Sequence, residues 1–462
     1  MPAPAPIDAA VPPSASSGRS PVSPPPSAAP TAVTPLVDAP LTDHASTDHA
    51  LTDHALTCAA ADGAVEPAGI EPVRLVCFAL AIVNLTYMVA VLGSGDWIVT
   101  PSGAPVHTDF VMVYAAGQLA LAGDPAAAWD WTLHRVAEDA VLGRPVPAYY
   151  GWHYPPPFLM VAAALATLPY WAAFATWMAV TLPLYLVTLR GIVATRLGWL
   201  AGAAFPVIVP NLVPGQNGFL TATLIGGTLA LLQRHPVVAG VCLGLLTYKP
   251  QYGLLFPLVL LVTGRWVTIA AAAVTALLLG AVTLMVFGTS AGVASWAAFL
   301  HWLPLTSDAL LSGSDAEFHK FQSVFALVRL SGGSAALGWT VQIGAAIVTA
   351  TAVCLIWLNK RIPYEMKAAT LAAGVLLATP YVYLYDLTIL AVALAFLLRH
   401  ALSTGFLTGE RPALAVVAAA FLVLPVLGIP VGLVGVAATL ALVGRRIGAV
   451  LAAPSPAGRS VA

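Results

Sequence analysis

From Val73 onward, hydrophobic positions come in long runs and polar positions are confined to short gaps. The apolar runs cover about 73–92, 156–190, 198–214, 218–232, 237–249, 251–263, 266–288, 336–358, 367–380, 384–398, 412–427 and 429–444. They are Leu, Val and Ala runs without period-two alternation, which predicts helices and argues against an outer-membrane barrel. A straight span needs roughly 20 apolar residues, and several runs are shorter. Short runs beside polar clusters predict broken or half-submerged helices, which are tolerated where protein lines a cavity. The run 156–190 is long enough for two short spans broken near Leu168 and Pro169. The pattern as a whole predicts an all-α polytopic membrane protein of about twelve transmembrane helices.

Composition supports a membrane protein. The chain is 59% hydrophobic and 8% charged, against roughly 25% charged in soluble domains. So little charge cannot cover a water-facing surface. The net charge of −1 carries no basic signal, so no nucleic-acid partner is expected. Cys58, Cys77, Cys242 and Cys354 are scattered, with neither a disulfide framework nor a zinc spacing. They read as small buried hydrophobes.

Residues 1–70 differ from the rest. They are rich in Pro, Ala and Ser, with no Lys and one Arg, and predict a disordered cytoplasmic tail rather than a signal peptide. Inside the tail a repeat places Asp43–His44, Asp48–His49 and Asp53–His54 in register. The repeat reads either as weak metal binding or, more simply, as slippage in a disordered segment. The membrane domain is expected over 71–450, followed by a short tail over 451–462.

Basic residues set the orientation. Arg190, Arg196, Arg234, Arg265, Lys360, Arg361, Arg399, Arg411, Arg445 and Arg446 fall in what read as short loops two spans apart, predicted cytoplasmic. The loop after the first run carries Asp96, Asp109, Asp124, Asp130, Glu138 and Asp139, and a later one carries Asp308, Asp315 and Glu317. These acidic loops are predicted to face outward.

Polar residues inside apolar sequence are costly and usually functional. Lys249 interrupts "LGLLTYKPQYGLL", Tyr385 and Asp386 close "YVYLYD", and Gln216 and Asn217 sit in "VPGQNGF". His153 and Tyr154 precede a triple proline, and His319, Lys320, Gln322, Ser323 and Arg329 fall in "HKFQSVFALVR". On the orientation above all lie at outward ends, which predicts one outward-facing site. Each also has a structural reading. Lys249 could snorkel as an anchor, Asp386 could pair with a tyrosine or a cation, and Gln216 and Asn217 could cap a turn. His153 and Tyr154 could belong to an interfacial belt, and His319 and Arg329 to an exposed loop. In "TDFVMVYAAGQLALAGDPAAAWD", Phe110, Val113, Tyr114, Gly117 and Leu121 recur at helical spacing. That predicts a helix lying in the interface. Asp109 stands at its start, either as an N-cap or with a carboxylate oxygen able to take a proton from a substrate.

At these residues the chain resembles a known family. The blocks "TDFVMVYAAGQLALAGDPAAAWD", "YGWHYPPPFLM", "PNLVPGQNGF", "TYKPQYGLL", "KFQSVFALVRL" and "TPYVYLYDLTIL" occur in the order seen in the polytopic glycosyltransferases of family 87. That group includes polyprenyl-phosphate-mannose-dependent α-1,2-mannosyltransferases of bacterial envelopes. The resemblance covers about 75–445. It implies a GT-C-type helix bundle with interfacial helices in the first outward loop, in a bacterial inner membrane with its site facing outward. It further implies Asp109 as general base and Lys249 near the donor phosphate, with Gln322 and Ser323 matching a Gln-Ser pair of the outward loop and His319 near sugar or acceptor. The "YVYLYD" block departs from the Trp-His-like block of mycobacterial relatives, so acceptor recognition is expected to differ.

The expected reaction moves a sugar, by the resemblance mannose, from a polyprenyl-phosphate donor to a lipid or glycan acceptor with inversion. Lys249, with Lys320 or Arg329, would offset the phosphate charge. No DxD-type metal motif appears, so neither metal nor cofactor is expected. The partners expected are the donor, the acceptor and membrane lipids. The competing readings are a transporter using Lys249 and Asp386 for ion coupling and a non-catalytic envelope-assembly protein.

Overall fold

The computed structural model describes residues 70–145, 150–311, 318–423 and 431–453. The Pro/Ala/Ser-rich tail before Ile70, its Asp-His repeat, Cys58 and residues 454–462 lie outside the described residues, as do Asp315 and Glu317. Among the described residues the chain forms eighteen α-helices and no strand. The first nine are α1 (Ile70–Gly93), α2 (Phe110–Leu121), α3 (Trp131–Leu142), α4 (Pro156–Ala166), α5 (Tyr170–Val193), α6 (Leu197–Ala204), α7 (Ile208–Leu212), α8 (Gly218–Leu231) and α9 (Pro236–Leu245). There follow α10 (Leu255–Val262), α11 (Trp266–Phe287), α12 (Thr289–Leu311), α13 (Val324–Leu330), α14 (Ala335–Leu358), α15 (Tyr364–Ala378), α16 (Thr388–Thr404), α17 (Glu410–Val423) and α18 (Val431–Ala452).

Six helical segments are long and apolar enough to cross a membrane: α1, α5, α11, α14, Leu384–Thr404 (which contains α16) and α18. Five shorter apolar helical segments, between 10 and 17 residues, account for most of the remaining runs. Prolines set many of the breaks, because a ring without an N–H removes a helix hydrogen bond, while Pro183 and Pro304 are carried within α5 and α12. Leu168 and Pro169 separate α4 from α5, Pro206 separates α6 from α7, and Pro250 follows Lys249 between α9 and α10. The carbonyls freed at such breaks are recaptured. Asn84 of α1 donates from Nδ2 to Ala203 O at 3.0 Å and Phe205 O at 3.3 Å, across the break after α6. Gln342 of α14 donates to Leu377 O at 2.8 Å and accepts from Phe325 N at 3.0 Å.

The segment containing α16 is the hub, with 72% of its most apolar stretch buried, and it packs on α5, α8, α15 and α18. By contrast, α1 and α11 bury only 6% of theirs, so their side chains point outward around the periphery. Small residues bring backbones close where α9 meets α11. A Cβ on Gly240 would lie 2.6 Å from Thr268 O, and one on Gly244 would lie 2.7 Å from Ala272 O. This is the small-residue packing that lets apolar helices associate by close contact.

Three expectations change. The segment predicted to be interfacial, α2, is buried almost all round: Phe110, Val111, Met112, Val113, Ala115, Ala116, Gly117 and Ala120 are all inside. Its Ala and Gly side lets α4 come so close that a Cβ on Gly117 would run into Ala162 O, so its partner is protein rather than a membrane surface. Second, α12 occupies sequence that contains no clear apolar run. Third, several arginines assigned to loops lie within helices: Arg190 in α5, Arg399 in α16, Arg445 and Arg446 in α18. Arg446 is 3% exposed and holds Glu410.

Candidate active site

The site begins where the loop after α1 meets the turn between α7 and α8. Trp97 Nε1 donates to Val213 O at 2.9 Å, and Phe110 N donates to Pro214 O at 3.0 Å. Gly215 completes the turn at φ +73°, and a Cβ there would lie 2.6 Å from Phe174 Cε2 and 2.9 Å from Phe110 Cβ. Both its conformation and its crowding call for glycine. The turn aims the next side chain at the start of α2, where Gln216 Nε2 donates to Asp109 Oδ2 at 2.5 Å.

Asp109 makes no side-chain hydrogen bond to the start of α2, so the capping alternative is not the arrangement the protein adopts. Instead its carboxylate is held by Gln216 and by the hydroxyl of Tyr150. Burial raises its pKa above the usual carboxylate value, while those hydrogen bonds and the charges of Lys320 and His107 act in the opposite direction.

Asn217 also makes no cap bond. Its Nδ2 donates to Tyr154 Oη at 2.6 Å, and its carbonyl accepts from Tyr248 Oη at 3.2 Å. Tyr248 is in turn bonded to Thr221 Oγ1 at 2.5 Å. These contacts lead to a buried ion pair in which Lys249 Nζ donates to Asp386 Oδ1 at 2.6 Å. The second carboxylate oxygen accepts from Tyr383 N at 3.1 Å. Around the ammonium stand the rings of Tyr385, Tyr252 and Tyr154, at 4.9, 5.8 and 6.0 Å to their centroids.

A cavity of about 920 Å³ joins these groups. Asp109, His153, Tyr154, Gln216, Lys249, Lys320, Gln322, Tyr385 and Asp386 all line it. The rest of its wall is mostly aromatic and apolar, and α12 supplies Phe299, Trp302, Leu303 and Leu310 together with Thr306 and Ser307. His153 bonds Tyr150 O through Nε2 at 2.9 Å, and its Nδ1 is buried without a hydrogen-bond partner. Gln322 ties the walls together: its N donates to Val382 O at 2.6 Å, and its Oε1 accepts from Gly432 N at 2.9 Å.

Three expected residues lie outside the lining: Asn217 (whose side chain bonds Tyr154), Ser323 and Arg329. Ser323 is fully buried and caps α13, accepting from Ala326 N at 3.2 Å. Arg329 donates from Nη1 to Gly333 O at 2.9 Å and stacks on Phe318 at 4.6 Å. His319 lies in the turn Phe318–Lys320, and its side chain falls outside the described residues. Sequence reasoning missed Tyr150, Tyr248 and the whole of α12. In α12 the signal was present as Trp296, Phe299 and Leu303 at helical spacing, masked by the polar residues between them.

Residues 152–380 match the family model of glycosyltransferase family 87. Over that stretch the chain is a member of glycosyltransferase family 87. The match is shorter than the resemblance read over 75–445. It includes His153, Gln216, Lys249 and Gln322 and leaves Asp109 and Asp386 outside its limits. No curated protein and no solved structure matches the chain. Membership of family 87 indicates a glycosyltransferase, and the six long apolar helices indicate a multi-pass membrane protein.

Proposed function

We propose that the cavity transfers a sugar, mannose by family resemblance, from a polyprenyl-phosphate donor to a hydroxyl of a lipid or glycan acceptor, on the outer face of a bacterial inner membrane. The observation that carries this reading is the Asp109 carboxylate. It is held by Gln216 and Tyr150, is not used as a helix cap, and stands in the wall of a cavity lined by both polar and aromatic side chains.

In this reading Asp109 takes the proton of the acceptor hydroxyl. The oxygen attacks the anomeric carbon from the face opposite the phosphate, and the bond from that carbon to the phosphate oxygen breaks. The phosphate leaves with the electron pair, and the configuration inverts. Lys320 supplies positive charge at the cavity wall. Lys249 contributes through an ammonium already anchored by Asp386, with the remaining N–H donors available to a phosphate oxygen. The aromatic wall suits the sugar face and the first prenyl units.

The test is transfer from labelled polyprenyl-phosphate mannose into acceptors in membranes of cells that otherwise lack the protein. Asp109→Asn keeps the shape of the side chain and removes its basicity. It should lower the rate by about 100- to 10,000-fold. Full transfer by that variant would overturn the assignment of the base. Solute uptake by reconstituted vesicles with no sugar transfer would overturn the enzyme reading altogether.

A further inference from the structure

One buried cluster beside the cavity has no part in the chemistry above. It lies on α3, the helix of the first large loop. Glu138 is 1% exposed and His134 is fully buried. Glu138 Oε2 accepts from Tyr150 N at 3.4 Å, and Oε1 accepts from Gly151 N at 3.3 Å. His134 faces the same carboxyl, with Nδ1 3.4 Å from Oε1, while its Nε2 bonds Met112 O at 3.1 Å.

A carbonyl oxygen only accepts, so His134 Nε2 carries the proton toward Met112. A neutral imidazole then turns its Nδ1 lone pair toward the Glu138 oxygen, and one proton must lie between the two. The histidine is thereby fixed between α2 and α3, and Glu138 is fixed by the histidine. The carboxyl in turn fixes the backbone at Tyr150 and Gly151. The Tyr150 hydroxyl reaches the Asp109 carboxylate, its ring packs on His107 at 4.8 Å, and its carbonyl bonds His153. This is a continuous set of contacts from a buried pair on α3 to the proposed base.

We infer that Glu138, seated by His134, is a positioning residue that holds Tyr150 against Asp109 and so sets the geometry and proton affinity of that carboxylate. The inference rests on the reading of Asp109 as the base. Burial pushes the Glu138 carboxyl up to about 7 and His134 down to about 4, consistent with a neutral pair sharing one proton. The other charged or titratable groups acting here are Arg135 and Asp139 on α3 and His153 across from His134. Beyond Tyr150 stand His107 and Asp109, with Arg144 acting on His107.

The experiment measures kcat, the donor KM and the pH profile of transfer from labelled polyprenyl-phosphate mannose, in full-length protein. Glu138→Ala should lower kcat about 10- to 100-fold with the donor KM within about threefold, because the acceptor proton meets a displaced base while the donor contacts remain. The Tyr150 hydrogen bond lowers the proton affinity of Asp109, so its loss should move the acid limb of kcat/KM to higher pH. Tyr150→Phe should move the limb the same way, and the double variant should be no worse than the more damaged single variant. Glu138→Gln keeps an acceptor toward Tyr150 N and offers an N–H to His134 Nδ1, so it should recover most of the rate. If Glu138→Ala does not fold, Glu138→Gln and Tyr150→Phe carry the test. An unmoved acid limb in Tyr150→Phe, or additive losses in the double variant, would overturn the inference. Asp109→Asn distinguishes the two failures. An inactive Asp109→Asn beside a fully active Glu138→Ala removes only the role of Glu138, whereas an active Asp109→Asn removes the base itself.

Discussion

Two ion pairs are buried at separate places in this bundle, and they are built differently. Arg446 of α18 meets Glu410 of α17 through two bonds of 2.5 Å, and its other donors reach Thr404 Oγ1 at 3.0 Å and Gly405 O at 2.9 Å. Lys249 makes one bond of 2.6 Å to Asp386 and is otherwise surrounded by tyrosine faces at the wall of the cavity. Burial is nearly equal, at 3% exposure for Arg446 and 4% for Lys249. Burial of a charge therefore does not distinguish a structural site from a functional one. The distinction lies in how completely the donors are engaged by the protein and in whether a cavity adjoins them.

That contrast gives the largest expected effect. Replacing a buried ion pair by apolar residues of similar volume is often neutral or stabilising, whereas removing one partner costs about 3–5 kcal/mol. Lys249→Met/Asp386→Leu should therefore fold and yet transfer sugar at least about 100-fold more slowly. Arg446→Met/Glu410→Leu should fold and transfer within about threefold of the parent, since its contacts join α17 to α18 and not the cavity. Thermal unfolding in detergent and transfer rates on the same preparations decide the matter. Equal rate losses in the two double variants would erase the distinction.

The next effect concerns pH and stability. The Glu138 carboxyl is raised to about 7 in the folded protein from a usual value of 4.5. A group whose pKa is raised on folding favours the folded state most when protonated. That contribution is full below the unfolded value and is lost as pH rises through the folded one. His134, beside Glu138 and lowered from 6.5 to about 4, acts with the opposite sign, since its contribution grows as pH rises toward 6.5. Folded and unfolded chains then hold the same proton count, and the pair's net effect on stability should stay within about 1 kcal/mol between about pH 4.5 and about pH 7.5. In Glu138→Gln only the lowered His134 remains, so unfolding followed across that range should show stability rising with pH by on the order of 2–3 kcal/mol in the variant and staying nearly flat in the parent. Parallel pH profiles in the two proteins would place the titration elsewhere.

Gly215 sharpens the comparison from the backbone side. Gly215→Ala places a methyl at φ +73° against Phe174 and Phe110, which should cost about 1–3 kcal/mol. Because the turn aims Gln216 at Asp109, transfer should fall further than stability alone explains. A variant that is destabilised but turns over at the parental rate would show that this aim does not matter.

Much of this was legible in the sequence, for a physical reason. An apolar bundle offers polar side chains few places, so Asp109, Gln216, Lys249, Gln322 and Asp386 could be expected together, and they line one cavity. The break at Leu168 and Pro169 was equally legible, because a proline removes a helix hydrogen bond and favours a break, although Pro183 and Pro304 are carried inside α5 and α12. Less legible was what each polar group would engage. Arg446 was expected in a cytoplasmic loop, and only the fold shows it buried with four of its five N–H donors engaged by protein. The burial of α2 was misread because alanine and glycine give no strong face: periodicity marked one side, but close approach by α4 buried the other. The helix α12 was missed for the opposite reason, since its His, Ser, Thr and Asp residues interrupt the apolar run while its aromatic residues line the cavity.

The smallest expected effect separates two cations close in sequence. Lys320 lines the cavity and its charge acts on Asp109, whereas Arg329 donates to Gly333 O and stacks on Phe318 outside the lining. A cation near a phosphate in the bound donor should alter binding when removed, and one engaged by a local carbonyl should not. Lys320→Ala should raise the donor KM about fivefold, while Arg329→Ala should change it by less than about twofold. The distinction survives a general loss of stability, because KM on the folded fraction does not depend on how much protein is folded. A donor KM that responds to Arg329 and not to Lys320 would move the phosphate to the far side of the turn Phe318–Lys320. It would also return Lys249, with its single bond to Asp386, to a structural role like that of Arg446.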